Sequence, residues 1–213
     1  MHVIHRGIAN KKLKENLLLS FKKSFDLGFG VETDIHATKD ENFVCFHDFT
    51  LNKIFKKKLS IKNLNFSDIE TVKNFKKNPI PLLEEVLKAS KNKYPILIEI
   101  KPNLSLKLLK KLVKQTSKYS KCIFISFKHE NINKLLMIKQ TLKVGLSFSY
   151  NSKITTIVEK SKNKKIDFLI LDKVFLNHKK IQNLNIQKFY YTIKNKKDFN
   201  KYSNDNCLIF ENL

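Results

Sequence analysis

Residues 31–36 read Val31-Glu32-Thr33-Asp34-Ile35-His36, and this stretch decides the fold. Alternate side chains of a strand point to opposite faces. Glu32 and Asp34 therefore share one face, while Val31, Thr33 and Ile35 share the other. The second face suits packing under helices, so both carboxylates are aimed into an enclosed interior. The same parity in Ile96-Leu97-Ile98-Glu99-Ile100-Lys101 gives Ile96, Ile98 and Ile100 to the helix side and leaves Glu99 and Lys101 inward. In His2-Val3-Ile4-His5, Val3 and His5 share a face.

Working outward, short apolar runs recur with amphipathic stretches between them. The predicted strands are 2–5, 31–36, 96–100, 122–126, 144–148, 168–171, 189–193 and 207–210. The predicted helices are 13–27, 81–93, 105–118, 131–142, 153–163, 178–183 and 196–202. Leu13, Leu17, Leu18, Phe21 and Phe25 make the one-sided stripe of a packed helix. Alternating buried strands and helices predict a parallel sheet, and eight repeats predict its closure. The expected fold is an α/β TIM barrel forming one domain over residues 1–213. Phe43-Val44-Cys45-Phe46 reads as an extra strand, folded back as a small hairpin after strand two and carrying His47. Residues 52–80, rich in Lys and Asn, read as an excursion over one face of the barrel. The chain stops after strand eight, so the usual last helix is expected to be lacking. An open doubly wound sheet is the alternative, but there are four glycines in all and no Gly-rich phosphate loop.

Composition narrows the class. A hydrophobic content of 42% with 17 Phe excludes a disordered chain. No apolar run reaches the roughly 20 residues of a membrane-spanning helix. The first strand follows Met1 at once, which leaves no room for a secretion signal. Cys45, Cys122 and Cys207 are odd in number and far apart, so reduced, buried thiols are expected in a cytoplasmic protein. The net charge is +23. Such a field draws anions, among them a phosphate substrate and, weakly, an anionic membrane. The lysines are spread along the chain without clustered arginine or exposed aromatics, so no specific nucleic-acid partner is expected.

The chemistry sits at the strand ends. Glu32, Asp34 and Glu99 repel one another unless a cation neutralises them, and their hard oxygens suit one divalent cation, Mg²⁺ or Ca²⁺. Lys101 can hold a phosphate oxygen or pair with one of these carboxylates. His5 and His47 supply the side chain suited to both proton-transfer tasks near neutrality. Arg6 is the only arginine in the chain and lies beside His5, where a planar bidentate donor serves phosphate recognition. Asp48 orients the loop or an imidazole. His36 continues the carboxylate face but is read as lying past the strand end.

These residues also match a family. His5-Arg6-Gly7, Glu15-Asn16, Glu32-Thr33-Asp34, Thr38-Lys39-Asp40, His47-Asp48, Ile80–Leu87 and Glu99-Ile100-Lys101 together resemble the glycerophosphodiester phosphodiesterases, in order and spacing over residues 4–101. Ser126-Phe127 and Tyr191-Thr192-Ile193 fit more loosely. The resemblance implies a metal-dependent TIM barrel that hydrolyses small anionic glycerophosphodiesters to glycerol 3-phosphate and an alcohol. It implies His5 and His47 as general acid and base, Glu32, Asp34 and Glu99 as metal ligands, and Arg6 as a phosphate contact. It also implies that a glycerol hydroxyl of the substrate attacks first, giving a cyclic phosphate that water opens. The chain departs from the pattern at Lys14, at Tyr191 and at Phe210-Glu211-Asn212, where the family tends to have an aspartate and then a proline. Competing expectations are a lysophospholipase D, with an acyl groove formed by residues 52–80, and a non-catalytic basic binding protein on the same barrel.

Overall fold

The computed structural model describes residues 1–10, 13–72 and 75–211, apart from the side chain of Ile54. Its strands are β1 (His2–His5), β2 (Gly30–Ala37), β3 (Phe43–Cys45), β4 (Ile96–Ile100), β5 (Cys122–Ser126), β6 (Val144–Phe148), β7 (Phe168–Asp172), β8 (Gln187–Ile193) and β9 (Cys207–Phe210). Its helices are α1 (Leu18–Asp26), α2 (Asn52–Phe55), α3 (Phe66–Glu70), α4 (Leu83–Ser90), α5 (Leu106–Thr116), α6 (His129–Ile138), α7 (Ile154–Ser161), α8 (Lys179–Gln182) and α9 (Lys196–Tyr202).

Eight strands are parallel and run β1-β9-β8-β7-β6-β5-β4-β2, and a β1–β2 pairing closes them into a TIM barrel. β3 lies outside the ring, antiparallel to β2, with Ile35 opposite Cys45 and Ala37 opposite Phe43. This is the hairpin expected after strand two.

Parity sorts the core as the sequence predicted. Val3, Leu97, Ile125, Ile170 and Ile209 fill the barrel interior. Val31, Ile35, Ile96, Ile98 and Ile100 pack outward against Phe21 and Phe25 of α1 and Leu83, Val86 and Leu87 of α4. The apolar spacing of α4 puts its buried residues on one face, and Glu85 accepts a hydrogen bond from the Leu82 N–H at 2.8 Å to close its first turn.

Two expectations need correction. The first helix starts at Leu18, not at Leu13. Asn16 is left-handed (φ 57°), and its N–H donates to the Arg6 carbonyl, so this stretch is tied to the end of β1 instead of the helix. His36 lies within β2 and is buried. Residues 52–80 form the excursion expected outside the barrel ring, and it is packed: Val44, Phe46, Leu51, Phe55, Ile61, Ile69 and Ile80 form a small core of their own. Asn212, part of the last sequence motif, lies outside the described residues.

Among the described residues no helix follows β9. A groove of about 910 Å³ runs between α9 and α1, lined by Ile4, Ile8, Phe29, Phe199 and Phe210. No helix among the described residues is long and apolar enough to cross a membrane. Cys45, Cys122 and Cys207 are free thiols, the first two buried.

Candidate active site

The site begins with a tight turn after β1. Arg6 and Gly7 are both left-handed, with φ of 55° and 71°. Glycine is required at the second position, because a Cβ there would lie 2.9 Å from the Ser20 backbone. The left-handed arginine costs roughly 1–2 kcal/mol, offset by what it holds. Its N–H donates to the Glu32 carbonyl at 2.9 Å, and its Nη1 donates to Glu15 Oε1 at 2.9 Å. Arg6 Nε lies 2.8 Å from Asp34 Oδ2, an ion pair not aligned as a hydrogen bond.

β2 and β4 run side by side with Asp34 opposite Glu99. This register gathers Glu32, Asp34 and Glu99, whose carboxylate oxygens lie within 4.8 Å of one another. All three are buried. Burial, then the charges of Asp34 and Glu99, push Glu32 well above the usual carboxylate range. Burial and Asp34 push Glu99 up to about 7. Burial also raises Asp34, but Arg6 and Lys101 outweigh it and hold this carboxyl below its usual value. Lys101 Nζ reaches Asp34 Oδ1 at 3.2 Å and Glu99 Oε1 at 2.8 Å. The lysine therefore makes the ion pairs that were one of its two expected roles.

Two cations do not satisfy this cluster. Glu32 Oε2 is buried without a hydrogen-bond partner. A buried all-carboxylate donor set with an orphaned oxygen fits a hard divalent cation, Mg²⁺ or Ca²⁺, far better than zinc.

Each of the two histidines expected to be catalytic is clamped by a carboxylate. His47 Nδ1 donates to Asp48 Oδ1 at 2.6 Å, and His5 Nδ1 donates to Glu211 Oε2 at 3.0 Å. Carboxylates can only accept, so Nδ1 carries the proton in both rings and Nε2 is left for other chemistry. His5 Nε2 stands 3.8 Å from Glu32 Oε2. Burial lowers the His47 pKa, which keeps its ring neutral at neutral pH. His36 Nε2 donates to the His47 carbonyl at 3.2 Å and so steadies the loop from below.

His5, Arg6, Glu32, His47, Glu99 and Lys101 all line one cavity of about 210 Å³ at the C-terminal end of the barrel. Its opposite wall is apolar, with Phe127 and Tyr191 in edge contact at 6.0 Å. His2, His129 and His178 stand apart from this cavity.

Glu211 is the residue that sequence reading missed, since it registered only as a departure from a family pattern. A hydrogen bond from His5 pulls its carboxyl down to about 2, and Lys194 Nζ binds its other oxygen at 2.7 Å. Parity held the signal: Cys207 and Ile209 face the barrel interior, so residue 211 does too.

A model of the glycerophosphoryl diester phosphodiesterase family matches residues 5–204. The chain belongs to this family. A family member from Caldanaerobacter subterraneus subsp. tengcongensis, a glycerophosphodiester phosphodiesterase, is 29% identical over 160 residues, 68% of this chain and 65% of that one. Human lysophospholipase D is 32% identical over 134 residues, 56% of this chain and 42% of that one. The matches thus span less than two thirds of these relatives' length. Among solved structures, an Oleispira antarctica phosphodiesterase in complex with the product sn-glycerol-3-phosphate superposes with a TM-score of 0.84, at 17% identity over 99% of this chain and 92% of that one. This likeness shows the fold of the family.

Proposed function

We propose that this protein hydrolyses glycerophosphodiesters to glycerol 3-phosphate and an alcohol. The observation that carries the reading is the pairing of two carboxylate-clamped histidines with a buried three-carboxylate cluster at one cavity. The family match and the Caldanaerobacter relative support the reaction class, and the product held by the Oleispira enzyme supports the glycerol phosphate end of the substrate.

Glu32, Asp34 and Glu99 would hold one divalent cation, Mg²⁺ or Ca²⁺. When bound, it supplies a positive charge that stabilises the phosphoryl oxygens during displacement. Arg6 and Lys101 flank the same oxygens and orient the diester. His47, kept neutral by burial, takes the proton from the attacking glycerol hydroxyl through its Nε2. His5 enters this step as the imidazolium, its Nδ1–H held by Glu211, and gives its Nε2 proton to the departing alcohol oxygen. The cyclic phosphate so formed is opened by water, with the two histidines exchanging roles. Asp48 and Glu211 hold Nδ1–H of each ring, which leaves Nε2 as the nitrogen that takes or gives the transferred proton. Three free thiols suit the reducing cytoplasm, where we place the reaction.

The acyl groove of a lysophospholipase D is not supported by residues 52–80. Phe55 and Ile61 are consumed in their own core, and the cavity beside His47 on that side holds about 50 Å³. An acyl chain needs several times that volume.

Phosphorus NMR on glycerophosphocholine, glycerophosphoethanolamine and glycerophosphoglycerol, with Mg²⁺ or Ca²⁺ and again with EDTA, tests the reading. Metal-dependent growth of the glycerol 3-phosphate signal supports it, and no conversion under either metal overturns it. Glu211→Gln keeps an acceptor near His5 but removes the charge. We expect kcat to fall at least ~10-fold with KM little changed, and Glu211→Asp to recover part of the loss. Equal kcat for Glu211→Gln and wild type in initial-rate assays would reduce Glu211 to a structural contact.

A further inference from the structure

Among the described residues ten large apolar side chains are exposed, and six of them stand on connections at one end of the molecule. Phe49 and Leu59 follow β3, and Leu106 opens α5. Phe127 follows β5 directly, Tyr150 lies just past β6, and Val174 just past β7. Their exposures run from 40% at Phe127 to 70% at Tyr150. Because the eight barrel strands are parallel, the connections after β4, β5, β6 and β7 surround the end at which the site cavity opens. Phe49, in edge contact with His36 near the end of β2, brings Leu59 to the same end through the Leu51 and Ile61 backbone bonds. Chain neighbours such as Leu51, Leu104 and Phe175 are buried, so these connections do have a core to use. The six are left out of it.

Exposed lysines stand directly beside four of these residues: Lys58, Lys107, Lys128 and Lys173. The acids of the same end are largely answered. Glu41 pairs with Lys107 and Lys111, Glu130 pairs with Lys134, and Asp172 accepts from the Val174 N–H. Apolar tips interleaved with the exposed ammonium groups of Lys58, Lys128 and Lys173 match the boundary of an anionic bilayer, with apolar groups below the headgroups and ammonium groups among the lipid phosphates.

We infer that this end of the barrel docks on an anionic lipid surface. Nucleic acid would use the lysines and could stack on Phe49, Phe127 and Tyr150, the exposed aromatics the sequence did not predict, but finds no role for Leu59, Leu106 and Val174, which offer no stacking face to a base. A second copy carries the same net charge of +23 and is repelled. Docking would place the cavity mouth at the level of the lipid headgroups. The inference concerns the surface and is separable from the hydrolytic reading, because binding is measured without turnover.

The test is sedimentation of the full chain with vesicles of phosphatidylcholine, with and without phosphatidylglycerol, at low and high salt. We expect binding to the anionic vesicles and none to the neutral ones. Tyr150→Ser combined with Val174→Ser lies outside the cavity lining and should weaken partitioning about tenfold or more. Leu27→Ser with Met137→Ser alters two exposed residues at the other end and should change nothing. Three results would overturn the inference: no binding to anionic vesicles, equal binding by the Tyr150/Val174 variant, or an equal loss in the Leu27/Met137 control. Stronger retention by duplex DNA or RNA than by anionic vesicles at the same salt would also overturn it and assign the charge to nucleic acid.

Discussion

Replacing Glu99 with glutamine is expected to abolish metal-dependent turnover, by at least ~10²-fold, without unfolding the protein. Substitutions of groups that merely orient metal ligands already cost 10–100-fold, and this one removes a ligand charge at nearly constant volume. Glu99 lies opposite Asp34 in the β2–β4 register, so the amide occupies the same space and can still accept from Lys101. Stability gives a second readout. Glu99 sits at about 7 against an ordinary 4.5, raised by burial and by Asp34. A carboxyl raised on folding supports stability below its ordinary value and loses that support as pH climbs through the raised one. The metal-free wild type should therefore lose melting temperature between about pH 4.5 and 7, and the glutamine variant should lose less, because only Glu32 still carries a raised carboxyl there. Added Mg²⁺ or Ca²⁺ should raise the wild-type melting temperature and leave the variant nearly unmoved. Full activity with an intact metal-induced shift would remove Glu99 from the metal site.

The second large effect is at His47. His47→Ala should lower kcat by at least ~10²-fold, because among the described histidines only His5 and His47 line the cavity, and one cannot serve as both acid and base in the same step. His5→Ala should cost a similar factor. The double variant should lose much less than the product of the two, since a proton donor without its acceptor partner does little. Fully multiplicative losses in initial-rate assays would mean that the two rings do not act in one sequence of transfers.

Much of this site was legible because strand parity is a local rule. Glu32, Asp34, Glu99, Lys101 and His5 could each be assigned to the barrel interior from four or five neighbouring residues. The early end of α1 was not legible, because Asn16 is drawn away by a backbone bond to Arg6 that belongs to tertiary structure. The short helices of residues 51–80 lack a clear period because each contributes only one or two side chains to a shared core. Glu211 meets His5 across 206 residues, a contact that exists only once the barrel has closed. His36 was misplaced by a boundary error of one or two residues, which is common at strand ends.

The uncovered groove beside β1 and β9 has a consequence for how the molecule fails. β1 and β9 are four-residue strands that complete the ring, and α9 covers their junction only in part, through Phe199, which meets His2 and Phe210 beside the groove. Local opening favours the segment with the fewest buried apolar neighbours. On warming, the β1–β9 amides should exchange with solvent first, ahead of β4 and β5. One side of that junction carries His5 and the other leads into Glu211, so opening it parts the clamped imidazole from its carboxylate. Heat should therefore silence this protein while most of its helical signal is still intact.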